Sequence, residues 1–117
     1  MARLKLSKYN DGVVHIYREK RKENSFAAKE NVSALDDLEF VAKLDYEESS
    51  KREQDLEFAN QNNFSLTMKV RTRFLPTMDK KNRYKAVIDG YLYDVQYADI
   101  TRTEIWWYLE GIKAVSA

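Results

Sequence analysis

Residues 86–95 read AVIDGYLYDV, an apolar run, then Asp89-Gly90, then a run in which aromatic and other side chains alternate. A type I′ turn needs positive φ at both central residues, which Asp-Gly tolerates, and its twist matches that of the strands it joins. The stretch therefore predicts a β-hairpin, with Asp89 and Gly90 as its turn. Around such a hairpin the rest of the chain has to supply neighbouring strands, because a two-stranded ribbon alone is at best marginal in water.

Toward the C-terminus, Tyr91, Tyr93, Val95 and Tyr97 alternate with Leu92, Asp94 and Gln96; a second turn at ADITRT then leads into a closing strand, EIWWYLEGI, residues 104–112. Toward the N-terminus, LPTMDKKNR carries the only proline, Pro76, which has no amide hydrogen for a central ladder and so marks a connection. Before it, NFSLTMKVRTRF has period two, with Phe64, Leu66, Met68 and Val70 expected inward and Ser65, Thr67, Lys69, Arg71 and Arg73 outward. In SSKREQDLEFANQNN, Ser50 and Glu53 have capping-box spacing, which predicts a short helix over about 51–59 with Leu56, Phe58 and Ala59 on its inner side.

Further upstream, Leu38, Phe40, Ala42, Leu44 and Tyr46 fall on one face of a strand, and Glu39, Lys43 and Asp45 on the other. VVHIYRE, residues 13–19, is β-branched and aromatic enough for a first strand. The polar segment 20–37 between them reads as a long loop. Five to six strands, one short helix and long loops make a mainly β chain, expected as a small antiparallel β-barrel or sandwich. At 117 residues it is one domain, 1–117, with 1–11 and 114–117 expected as flexible ends.

Composition narrows the function. Charged residues make up 33% and mean hydropathy is -0.68, yet two Trp, eight Tyr and five Phe are too many for a disordered chain. The net charge of +1 provides no global field to recruit nucleic acid or anionic lipid. Cysteine is absent, which removes disulfides and thiolate metal sites and suits a reducing compartment. MARLKLSKYN lacks the apolar core of a signal peptide and no run is long enough for a membrane helix, so a cytoplasmic, membrane-free setting is expected.

The residues also point away from catalysis. His15 is the sole histidine, the three glycines Gly12, Gly90 and Gly111 are scattered, and the adjacent acids Asp36-Asp37 and Glu47-Glu48 lack the further spaced ligands that a metal needs. No enzyme activity, cofactor or metal is expected. Two binding readings stand. Tyr91, Tyr93, Tyr97, Trp106 and Tyr108, with Lys69, Arg71 and Arg73, form a possible stacking platform for single-stranded nucleic acid, as in OB-like barrels. Alternatively, one aromatic face fills the barrel and the other meets a partner subunit, which the near-zero net charge favours. Consecutive residues of a strand point to opposite faces, so one of Trp106 and Trp107 belongs to the core. The other is covered by assembly, or by the helix or the 20–37 loop.

The order of parts carries a resemblance. The strand EFVAKLDYEE, the charged helix SKREQDLEFAN, the strand SLTMKVRTR, the hairpin AVIDGYLYDVQYAD and the strand TEIWWYLEGI together resemble the head-tail joining family of long-tailed bacteriophages, the head-completion adaptor or stopper proteins. The likeness spans roughly residues 12–113. Arg71 lies in KVRTR, in the basic-ended strand before the turn, and Gly90, Tyr93 and Val95 fall where the family has a glycine-centred hairpin G-x-x-Y-x-I, with Val in place of Ile; the family's tryptophan before the strand at 38 is absent.

The resemblance implies a β-barrel subunit of the phage neck, formed in the host bacterial cytoplasm and retained in the virion. It implies a homo-oligomeric ring of about twelve, or about six, copies, closed by head-to-tail contacts. A portal or adaptor protein would lie above, a tail-completion or tail protein below, and double-stranded DNA would pass through the channel. By the same resemblance, residues 47–63 project toward that channel, with Glu47, Glu48, Lys51, Arg52, Glu53 and Gln54 as its plug. Trp106, Trp107, Tyr108, Arg71 and Arg73 are the candidate subunit interface. The balanced charge of EESSKREQDLE suits a wall that must let DNA pass.

Overall fold

The Asp89-Gly90 turn forms as expected, with φ of 51° and 75° at its two residues. It joins β4 (Tyr84–Ile88) to β5 (Tyr91–Ile100) in a computed structural model that describes residues 9–19, 38–79 and 82–115. The other elements are β1 (Gly12–Glu19), β2 (Leu38–Ser49), α1 (Glu53–Gln61), β3 (Met68–Arg73) and β6 (Glu104–Ala114). All six strands pair antiparallel, and they close into a barrel in the order β1-β2-β3-β6-β5-β4. The architecture is therefore mainly β, a barrel rather than a sandwich. The loop expected over 20–37 lies outside the described residues.

The barrel interior follows from period two. Val14 and Ile16 of β1, Val70 and Thr72 of β3, and Ile105, Trp107 and Leu109 of β6 have no solvent exposure. Trp107 is the inward member of the tryptophan pair. Its indole N–H donates to Thr72 Oγ1 at 2.8 Å, so both buried polar groups are satisfied inside the core.

Two bulges change the faces read from alternation. Ile16 faces Ala42 but Tyr17 faces Phe40, which leaves Val41 as an extra residue in β2. Val41 packs toward the core, and Phe40, expected inward, stands 53% exposed on the outer wall against Tyr17. In β5 the register slips between Val95 and Tyr97, so Gln96 is the extra residue. Tyr93 and Val95 face inward with the core, while Tyr97 turns out and pairs with Tyr108.

The helix starts two residues later than the Ser50–Glu53 spacing predicts. Arg52 is the N-cap, and the carboxylate of Asp55 at the third helical position accepts the Arg52 backbone N–H at 2.9 Å. Arginine offers no acceptor oxygen, so only this half of a capping box forms through a side chain. Asp55 and Ala59 are the helix's buried residues; Leu56, expected inside, is 47% exposed. Of the ends expected as flexible, 1–11 and 114–117, residues 1–8, 116 and 117 lie outside the described residues. Tyr9 is buried, Asp11 N–H bonds Tyr46 O, and β6 runs through Ala114 opposite Tyr91.

The strands are staggered around the barrel. β2 pairs with β1 from Leu38 to Tyr46 but with β3 only from Tyr46 to Ser49. β5 pairs with β6 along its whole length but with β4 only from Tyr91 to Asp94. Among the described residues, Leu38–Asp45 and Val95–Ile100 each have one side without a strand neighbour.

Candidate assembly surfaces

The outward side chains of β3 and β6 form a ladder of cations and aromatic rings. Lys69 Nζ lies 5.1 Å from the Trp106 ring centre and 5.2 Å from that of Tyr108. The Arg71 guanidinium lies 5.1 Å from Trp106 and 5.9 Å from Tyr9, and that of Arg73 lies 5.0 Å from Tyr9. Each cation lies over the electron-rich face of a ring. Carboxylates complete the wall: Asp55 on Lys69, and both Glu47 and Glu104 on Arg71. Tyr9 O–H donates to Glu104 at 2.6 Å, and Glu104 together with burial raises the tyrosine's pKa. Lys69 and Arg71, expected as free outward cations, are thus engaged within their own chain; Arg73 remains exposed.

Asp55 is the hub of this wall. Its side chain lies 2.9 Å from Lys69 Nζ with both groups almost fully buried, and Tyr108 O–H donates to it at 3.1 Å. Burial alone would raise its pKa, but the Arg52 backbone N–H and the Lys69 ammonium outweigh that and hold it below 3.8. For Tyr108, burial and the facing Asp55 carboxylate both disfavour the phenolate, which pushes its pKa up to about 12. The cluster fastens α1 across β3 and β6.

The residues expected to form a channel plug are divided between two elements. Glu47 and Glu48 belong to β2, opposite Arg71 and Val70, and the Glu48 backbone N–H donates to Asp11 at 2.7 Å. Lys51 Nζ donates to Thr67 O at 3.1 Å. Arg52, Glu53 and Gln54 are exposed at the start of α1, on the barrel's outside. Of the candidate interface residues, Trp107 is core, while Trp106, Tyr108 and Arg71 lie together in the ladder.

Other large aromatic groups extend beyond the ladder. On β1 and β2, Phe40 packs against Tyr17 and His15, with ring centres 5.6 and 6.2 Å apart. On α1, β5 and β6, Phe58 meets Tyr97 at 5.0 Å, Tyr108 at 5.8 Å and Phe64 at 6.1 Å. Beside Tyr97, a groove of about 500 Å³ runs between the unpaired side of Val95–Ile100 and Met78, Arg83 and Tyr84. Among the described residues no three His, Asp or Glu side chains lie close enough to share a metal ion.

Sequence reasoning did not single out Asp55, Tyr9 or Glu104. An acid in the first helical turn was a readable signal for Asp55, since it complements the helix dipole. Its burial was not readable, because that depends on Lys69 and Tyr108, residues 14 and 53 positions away. No protein-family model matches the sequence, and no curated protein matches it.

Proposed function

We propose that the protein is a non-catalytic structural subunit of a long-tailed phage neck, assembling as a ring between portal or adaptor and tail to close the DNA-filled head. The supporting observation is the layout: strand, short acidic helix, arginine-ended strand, Asp-Gly hairpin and tryptophan strand, in a six-stranded barrel. Large aromatic side chains on its outer walls, beyond what the core consumes, suit a subunit whose burial is finished by assembly. The stopper role gives the segment from Glu47 through α1 a place near the channel.

The single-stranded nucleic-acid reading has less to stand on. Non-specific affinity for a phosphate backbone comes mainly from free cations. Lys69 and Arg71 face Asp55, Glu47 and Glu104 instead. Electron microscopy of lysates from the encoding phage or prophage with this reading frame deleted tests the proposal. Separate heads and finished tails establish a connector, heads that have lost their DNA point to the stopper, and normal infectious particles end the neck reading.

A further inference from the structure

The stagger of the barrel leaves strand sides without a neighbour on β1, β2, β5 and β6, and of these the side of β5 at residues 95–100 borders the groove beside Tyr97. β4 pairs with β5 only as far as Lys85 opposite Asp94. Upstream of Tyr84 the chain turns out of the sheet: Asn82 N–H bonds Asp79 O, Met78 N–H bonds Leu75 O, and the Tyr84 hydroxyl accepts the Asp79 N–H. Among the described residues no strand continues the line of β4 beside residues 95–100, and the groove occupies that place. Its volume, about 500 Å³, is within the usual range for bound ligands.

Beyond the Gln96 bulge, Ala98 and Ile100 pack toward the core while Tyr97 and Asp99 are exposed, so a strand added here meets apolar and outward-facing neighbours in alternation. Met78, Tyr84 and Val95 extend the apolar floor. The two charged residues that line the groove, Arg83 and Asp99, have opposite signs and stand at different levels. Arg83 is two residues before Lys85, the partner of Asp94, which puts it at about the level of Gln96. Its side chain is 73% exposed, and Glu19, 3.7 Å away, is nearer to Lys85 at 3.3 Å. Asp99 is exposed and, among the described residues, has no cation partner. Asp79 lies in the turn that forms the far wall, and Asp94 is engaged by Lys85 and Gln96.

We propose that this groove docks an extended segment of another protein, added as a strand in the line of β4, with a basic residue opposite Asp99 and an acidic residue three positions later beside Arg83. Every strand pair of the barrel is antiparallel, and a segment in β4's line runs antiparallel to β5 as well, which sets that order of charges. Three residues of strand span about 10 Å, the separation of the two levels. Of the two residues between the charges, one turns inward opposite Ala98 and is apolar, and the other turns outward against Tyr97 and is β-branched. Main-chain hydrogen bonds to the open side of β5 supply affinity, and the two charge pairs select direction and partner. The same geometry rejects a segment with its charges reversed or with proline between them. The site goes beyond the neck reading and does not depend on it.

Nuclear magnetic resonance titration of the isotope-labelled full chain with synthetic peptides tests it. The probe is Thr-Val-Lys-Val-Thr-Glu-Thr, capped at both ends, compared with a peptide in which Lys and Glu are exchanged and one in which Pro replaces the second Val. Backbone amide signals of residues 95–100 and of Arg83 are expected to shift with the first peptide, affinity to fall at least ~5-fold for the exchanged one, and binding to be lost for the proline one. The double variant Arg83→Glu with Asp99→Lys changes two exposed positions and should reverse the preference between the first two peptides, with the circular dichroism of the wild type. Should that variant fail to fold, the wild-type comparison of the same two peptides carries the decision. Three peptides that bind alike, a preference that survives the charge exchange in the protein, or no shift at residues 95–100 at millimolar peptide would each overturn the inference. Shifts at those residues that depend on protein concentration without peptide would give the groove to a second copy of this chain and overturn it too. None of these results bears on the gene-deletion phenotype, so the neck reading stands or falls separately.

Discussion

The Lys69 ammonium lies 2.9 Å from the Asp55 carboxylate with side-chain exposures of 3% and 5%, so a strand and a helix are joined by an ion pair almost without water. Removing one partner of such a pair leaves a buried charge uncompensated, at a cost of roughly 3–5 kcal/mol, whereas replacing both by apolar groups is often neutral. Lys69→Met should therefore destabilise the protein strongly, and Lys69→Met with Asp55→Leu should recover most of the loss. Urea denaturation followed by tryptophan fluorescence measures both. A double variant no better than the single one would show that Asp55's other contacts, to Arg52 and Tyr108, dominate.

The acid side of the stability curve should carry the signature of Asp55. Its pKa in the fold lies below its ordinary 3.8, so its contribution is fully present above that value and is lost as pH falls from about 4 through the lower folded value. Asp55→Asn should lower stability at neutral pH and flatten this part of the curve. Denaturant midpoints collected from pH 7 down to about 2 test the change of slope.

At the alkaline side the sign is reversed. The Tyr108 pKa is raised from 10.0 to about 12, so its contribution is complete below pH 10 and disappears as pH rises toward 12. Tyr108→Phe also removes a hydrogen bond to a carboxylate, worth about 1.5–3 kcal/mol. Burial also raises Tyr9, Tyr46 and Tyr93, so ultraviolet difference titration of the wild type should show several tyrosines that ionise late, and the variant should show one fewer.

The hairpin prediction concerns backbone alone. Gly90 has φ of 75°, and a Cβ there would meet only Val115 O at 3.8 Å, an ordinary contact, so Gly90→Ala meets a conformational penalty rather than a clash. Left-handed backbone costs an alanine about 1–2 kcal/mol, which should appear as a lower denaturant midpoint with an unchanged slope. Asp89→Asn should be nearly silent, since Asn suits the same turn position.

Local chemistry made the hairpin, the strands and one inward tryptophan legible in the sequence. Asp-Gly dictates its own turn, and alternation in LTMKVRT needs no distant information. Phe40 stands outside, and Tyr97 on the opposite face from Tyr93 and Val95, for a different reason: a single extra residue, Val41 or Gln96, resets the phase of a strand, and nothing in the local pattern marks which residue bulges. Lys69 was assigned to solvent because its neighbours Thr67 and Arg71 are polar. Its burial comes from α1 folding back over β3, a tertiary event that depends on Asp55. The outer ladder was hidden likewise, since Tyr9 and Glu104 meet across 95 residues of chain.

The two adjacent tryptophans should separate cleanly by experiment. Trp107 is fully buried and its N–H bonds Thr72, so Trp107→Ala removes packing and leaves a buried hydroxyl without its donor. Truncation of a core aromatic costs about 3–5 kcal/mol, a large share of the roughly 5–15 kcal/mol that holds a domain of this kind. Trp106 is only partly buried and contacts Lys69 and Arg71 through its ring, interactions worth about 0.5–2 kcal/mol each. Trp106→Ala should therefore leave a folded barrel with a lower midpoint, while Trp107→Ala should be largely unfolded or melt at much lower temperature. Thermal denaturation by circular dichroism decides the order. A Trp106 variant as damaged as the Trp107 one would mean that the ladder is as essential to the barrel as its core, because Lys69 and Arg71 would then depend on that one ring to remain buried beside their acids.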